Sequence, residues 1–134
     1  MQSQKAVLDA SALLAWLQKE PGGDAVFRFL EDYACVMSTV NLAEVVTKVG
    51  RASQERGRRI ASAISRMGIS VESFNAQQAI ETGLLESTTR TRGLSLGDRA
   101  CLTVALELEA VVLTADAAWQ KLKLPLEIIN IRAQ

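Results

Sequence analysis

The 134-residue sequence has no histidine. This absence removes Ser-His-Asp and Cys-His triads within the chain, paired-histidine acid–base cleavage of RNA, and the usual His-containing zinc site. There are two cysteines, Cys35 and Cys101, both in apolar surroundings without metal-ligand spacing, and both are expected to be small core residues. Aromatic residues make up 4% of the chain, so stacking on nucleic-acid bases is a minor resource. The apolar runs are short and interrupted, which excludes a membrane span. Residues 1–5 carry no signal-peptide pattern, so a cytoplasmic location is expected. Fifteen basic residues balance fifteen acidic ones, and net charge therefore names no partner. Carboxylates and hard metal ions are the expected means of any hydrolytic chemistry.

What is present is the composition of a globular protein, 49% hydrophobic and 22% charged, in a length suited to one domain over residues 1–134. Ala6-Val7-Leu8 reads as a buried strand, and Leu13, Leu14, Trp16 and Leu17 recur at helical spacing behind it. Glu20-Pro21-Gly22-Gly23 is a turn, with Asp24 expected to cap the helix that follows. Ala34–Met37 is a second buried strand, and Val40–Val46 opens the next helix. Residues 48–66 are strongly basic, with Ile60, Ala61, Ile64 and Met67 marking the inner side of an amphipathic helix. Ile69–Val71 is a third strand and 76–86 a helix. Thr88–Gly93 is a polar, basic connection, and Ser95–Asp98 begins a helix. Ala110–Thr114 is the clearest strand, 117–119 a short helix, and Ile128–Ile131 a last strand with Pro125 before it. Strands alternating with helices predict an α/β fold, a parallel sheet covered on both faces.

Four acids fall at junctions between these elements. Asp9 ends the first strand, Glu44 lies in the first turn after the second, Asp98 begins the helix before the fourth strand, and Asp116 ends that strand. In a parallel sheet all four approach one edge, the edge where ligands bind in open α/β folds. Three have structural alternatives. Ser95-Leu96-Gly97-Asp98 and Asn41-Leu42-Ala43-Glu44 both fit a capping-box template, and Asp116 is placed to cap a helix. Asp9 has less of one, because Ser11 is able to cap the first helix in its place. Carboxylates drawn together repel, so a fold that collects four calls for cations between them. Mg²⁺ and Mn²⁺ prefer oxygen ligands and are bound by a few carboxylates, waters and substrate phosphate. The crowding predicts at least one carboxylate with its pKa above the usual value of about 4.

The stretches Val7–Ala15, Asn41–Val45, Ser95–Leu102 and Val112–Asp116, in this order and at this spacing, resemble the motifs of PIN-domain nucleases, and of the VapC-type toxins of toxin–antitoxin pairs in particular. The resemblance runs from Lys5 to Ile131. It implies a three-layer α/β/α sandwich with a five-stranded parallel sheet and the first strand central. It carries Asp9, Glu44, Asp98 and Asp116 onto the family's acidic quartet, with Asp9, Asp98 and Asp116 as metal ligands and Glu44 completing the metal shell or taking a proton from the attacking water. Thr114 and Asn41 match polar residues beside the acids, and Ser11 is implied to position Asp9 or a water. The implied activity is Mg²⁺- or Mn²⁺-dependent endonucleolytic cleavage of RNA. The implied partners are a second copy of the chain, as a homodimer, and a small antitoxin.

An acidic pocket repels a polyanion, so RNA needs a cationic rim. Arg51, Arg56, Arg58, Arg59, Arg90, Arg92 and Arg99 are the candidates, against the plainer alternative of solvated helix faces. Two phosphoryl-transfer folds with a strand-end aspartate fit less well. A receiver domain wants an acid pair before the phospho-acceptor, and a haloacid-dehalogenase-type phosphatase wants a second acid where Ser11 stands. A PIN-like module that binds nucleic acid or a partner without cutting is the remaining alternative, and its usual mark, erosion of the acids, is not seen.

Overall fold

The computed structural model describes residues 4–133, with the side chain of residue 91 left aside. The N-terminal residues 1–3, part of the stretch read for a signal peptide, lie outside the described residues. The elements run β1 (Lys5–Leu8), α1 (Ala10–Leu17), α2 (Gly23–Asp32), β2 (Ala34–Ser38), α3 (Thr39–Gly50), α4 (Gln54–Arg66), β3 (Ser70–Glu72), α5 (Ala76–Leu84), α6 (Glu86–Thr89), α7 (Leu96–Leu108), β4 (Val111–Thr114) and β5 (Ile128–Asn130). Short 3₁₀ turns occupy Arg90–Arg92 and Ala117–Lys121. All strand pairs are parallel, in the order β3-β2-β1-β4-β5, so β1 is central as expected. Among the described residues, no helix is long and apolar enough to cross a membrane.

The two-residue period of the strands sorts the core into two layers. Ala6, Leu8, Cys35, Met37, Val111 and Leu113 face one side, where they meet Leu13 and Leu14 of α1, Val26 of α2, Val45 of α3 and Ile64 of α4. Val7, Val36 and Val112 face the other, where Cys101, Leu102 and Ala105 of α7 and the buried Trp119 cover them. Both cysteines are free and buried, as the sequence predicts. Each fully buried Leu or Val contributes about 1.5–3 kcal/mol, so the central strand and α7 hold the frame on which the junction acids are mounted.

Several boundaries differ from the sequence reading, each for a local reason. α2 starts at Gly23 behind Gly22, whose φ is 94°, and Asp24 lies inside its first turn instead of capping it. Both glycines are needed for close approach: a Cβ on Gly23 would stand 2.6 Å from the Ala15 carbonyl oxygen, and one on Gly22 2.8 Å from that of Ile131. α3 starts at Thr39, capped by Ser38, whose Oγ accepts from Val40 N. Glu44 therefore sits in the second turn, and Asn41 is no cap. The connection 88–93 is partly helical, since α6 and a 3₁₀ turn continue from α5 until Gly93 ends the run at φ 65°.

Candidate active site

Asp9 follows the last residue of β1 directly, and its N–H still donates to the Leu113 carbonyl of β4 at 3.1 Å. Its carboxylate caps α1, with Oδ1 accepting from Ala12 N at 2.8 Å. The sequence reading left that role to Ser11. Ser11 instead turns its hydroxyl back on Asp9, donating to Oδ1 at 2.8 Å and Oδ2 at 2.9 Å. Thr114 Oγ1 donates to Oδ2 at 2.6 Å.

The direction of these hydroxyl protons is set by the backbone after β4. Ala115 N donates to Ser11 Oγ at 2.9 Å, and Asp116 N donates to Thr114 Oγ1 at 3.1 Å. With acceptor lone pairs of both oxygens engaged, the O–H groups are left to point at Asp9. Two relays, each amide to hydroxyl to carboxylate, therefore favour the charged form of Asp9. Burial opposes them and wins. Asp9 is 3% exposed, and its pKa is pushed up to about 6, first by desolvation and least by the charge of Asp98, against the three hydrogen bonds. A raised carboxyl was expected from crowding of like charges; burial is the larger cause.

Glu44 projects from the second turn of α3 onto the start of α7. Asn41, one turn before it and fully buried, donates through Nδ2 to Glu44 Oε1 at 2.8 Å and to the Gly97 carbonyl at 3.0 Å. Asn41 Oδ1 is buried and has no partner. Asp98 sits in the capping box that the sequence predicts: its N–H donates to Ser95 Oγ at 3.1 Å, and its Oδ2 accepts from Ser95 N at 2.9 Å. Asp116 caps the 3₁₀ turn, with Oδ1 accepting from Ala118 N at 2.9 Å.

The buried Cys101 thiol is held well above its ordinary pKa by desolvation and then by the charges of Asp9, Asp98 and Glu44, so all three acids act on the same part of α7. Asp116 is tied to this network by its backbone alone: its N–H donates to Thr114 Oγ1, which donates to Asp9, while its exposed carboxylate caps the 3₁₀ turn. Among the described residues, no three of these groups stand as a ready ligand cluster. The donor set suits a hard cation. The neighbouring groups are oxygens, the only thiol nearby is held protonated, and Asn41 Oδ1 is a buried oxygen without a donor. Glu44 Oε2, Asp98 Oδ1 and Asp116 Oδ2 make no hydrogen bond to a described residue and remain as possible ligand atoms.

The arginine candidates have different surroundings. Arg51 and Arg58 are exposed beside a hollow at the α3–α4 junction. Arg59 shares a cleft of about 380 Å³ with Lys48, Arg56 and Arg66 over Leu17, Val49 and Ile60, and none of the four acids lines it. Arg90 is engaged by Glu86 at 3.0 Å, whereas Arg92 is exposed with no ion pair among the described residues. Arg99 is half-buried and donates to the Thr82 carbonyl at 3.0 Å, tying α7 to α5. The sequence reading did not foresee this tie, nor the contact between Glu44 and Gly97. A glycine inside a helix start, in Ser95-Leu96-Gly97-Asp98, was the available sign of the second.

A family model described as the PIN domain matches residues 6–124. No curated protein matched the sequence. Among solved structures, VapBC-1 from nontypeable Haemophilus influenzae superposes with a TM-score of 0.74 at 19% identity, covering 97% of this chain and 100% of the other. VapBC2 from Rickettsia felis, bound to a DNA fragment from its promoter, gives 0.71 at 16%, covering 94% and 98%. VapC20 from Mycobacterium tuberculosis, described as a sarcin-ricin loop cleaving toxin, gives 0.67 at 16%, covering 86% and 92%. These likenesses carry the fold. The family follows from the model match, which begins at the first buried residue of β1 and ends just short of β5, and the chain therefore belongs to the PIN domain family.

Proposed function

We propose that this protein is a Mg²⁺- or Mn²⁺-dependent endoribonuclease, the toxin of a toxin–antitoxin pair, acting in the cytoplasm as a single domain over residues 1–134. The observation that carries the reading is Asp9. A carboxylate is buried at the end of the central strand, served by two hydroxyl relays, and electrostatically coupled to Asp98 on another element. A structural cap needs none of that burial. The similar VapBC structures support an antitoxin partner, and VapC20 supports RNA as substrate, while a homodimer is carried over from the family resemblance alone.

Asp9, Asp98 and Asp116 are the metal ligands of this reading. When bound, the divalent ion activates a water and stabilises charge on the phosphodiester. Ser11 and Thr114 hold Asp9 in one orientation. Glu44, steadied by Asn41, would complete the shell of the ion or accept a proton at its carboxylate as the water attacks. Arg51, Arg58 and Arg92 neutralise RNA phosphates, with Arg59, Arg90 and Arg99 contributing only what their contacts with Glu55, Glu86 and Thr82 leave.

The test is cleavage of structured RNA by wild type and Asp9→Asn with Mn²⁺ and with chelator. The expected result is cleavage by wild type with metal, and a loss of a hundredfold or more in the variant or with chelator. Equal cleavage by both proteins removes Asp9 from the chemistry. Binding of RNA without cleavage by wild type selects the non-catalytic PIN-like module.

A further inference from the structure

We infer that Gly97 and Asn41 together form the seat that fixes the Glu44 carboxylate, making both of them positioning residues of the proposed metal site. The inference rests on the nuclease reading for the role of Glu44, but its geometry stands separately.

Gly97 lies in the first turn of α7 and has no left-handed φ, so its backbone is one that any residue adopts. Glycine there weakens a helix, and conformational freedom does not explain it. Space does. A Cβ on Gly97 would stand 2.5 Å from Glu44 Oε2 and 2.6 Å from both Cδ and Oε1. All three atoms are near-equidistant from that point, so the carboxylate lies across the missing side chain. Asn41 closes the arrangement: one Nδ2 group bonds the carboxylate and the carbonyl of the same Gly97. Glu44 is thereby locked to the residue before Asp98, and the spacing of two acids from α3 and α7 is set by contact and not by chance rotamers. Partners that orient ligand carboxylates typically cost tenfold to a hundredfold in metal affinity or activity when lost.

The experiment compares wild type, Gly97→Ala, Glu44→Gln and Gly97→Ala/Glu44→Asp as full chains. It reads Mn²⁺ affinity by calorimetry, metal-free thermal melting and RNA cleavage. In Gly97→Ala the melting temperature is expected to hold or rise, because alanine is the better helix former. Its Mn²⁺ affinity should fall at least tenfold, and kcat should fall with little change in KM. Shortening Glu44 by one methylene in the double variant clears the new methyl and should recover part of the Mn²⁺ affinity, whereas a purely structural role for Gly97 predicts no such recovery. If Gly97→Ala packs poorly and melts low, Asn41→Ser tests the same seat without added volume, with the same fall in Mn²⁺ affinity expected. Wild-type Mn²⁺ affinity in Gly97→Ala and Asn41→Ser, alongside a loss in Glu44→Gln, overturns the seat and leaves the nuclease reading intact. Wild-type Mn²⁺ affinity and cleavage in Glu44→Gln overturn the role of Glu44 itself.

Discussion

At the scale of the residue, Asp9 is a balance between three hydrogen bonds that favour its charge and a burial that does not. The balance has a sign that experiment can read. Its pKa stands at about 6 in the fold against an ordinary 3.8, so between these values the folded state binds more protons than the open chain. Stability of the metal-free protein is therefore expected to fall as pH rises from about 4 to about 6, by about 3 kcal/mol from this group, and to level off above. Asp9→Asn should abolish that part of the slope in denaturant melts while keeping the cap on α1, since its side-chain oxygen still accepts from Ala12 N. Metal binding should displace the same proton. Calorimetry in buffers of different ionisation enthalpy should count about half a proton released at pH 6 and close to none at pH 8. A constant count would detach Asp9 from the metal. The sequence placed Asp9 at the strand end correctly but left the cap of α1 to Ser11, because choosing between the two needs the Ala115 amide, a hundred residues away, that holds Ser11 Oγ.

Elements decide how the other acids are presented. The Ser95–Asp98 box was legible because capping is a local exchange between residues three apart, and the structure forms both of its bonds. Ser95→Ala should cost about 1 kcal/mol, seen as a drop of about 4 °C in melting temperature, with cleavage reduced only severalfold because Ser95 N still holds Asp98. The same template at Asn41–Glu44 misled, since Ser38 caps α3 three residues earlier and Asn41 is drawn into contact with α7. Local spacing cannot distinguish a helix start from a second turn when both offer a polar residue followed by an acid. Arg99 shows the same limit. It was grouped with exposed cations, yet it closes the C-terminal end of α5 through Thr82, beside a buried Thr82–Thr103 hydroxyl pair at 2.7 Å.

Across the whole molecule the net charge is zero, but basic residues are locally concentrated. Lys48, Arg51, Arg56, Arg58, Arg59 and Arg66 collect along the end of α3 and the length of α4, with Glu55 the one acid among them, while Asp9, Asp116 and Asp98 stand after β1, after β4 and at the start of α7. If this basic stretch holds RNA phosphates, replacing Arg51, Arg58 and Arg59 with alanine should lower the slope of log affinity against log salt by about 2 for a single-stranded target. Fluorescence anisotropy in an Asp9→Asn background measures it without cleavage. An unchanged slope would mark these arginines as a solvated face.

The sequence by itself determined the α/β class, the parallel sheet and the junction places of Asp9, Asp98 and Asp116. These follow from periodicity, from turn residues and from the rule that a parallel sheet puts all strand ends of one kind on one edge; the central place of β1 was implied by the family resemblance. Only the tertiary structure decided which hydroxyls serve Asp9, that burial outweighs them, that Glu44 rests on Gly97, and that Arg99 is spent on α5. Each of those depends on a contact between residues far apart in the chain, at distances of a few ångströms that no local pattern encodes.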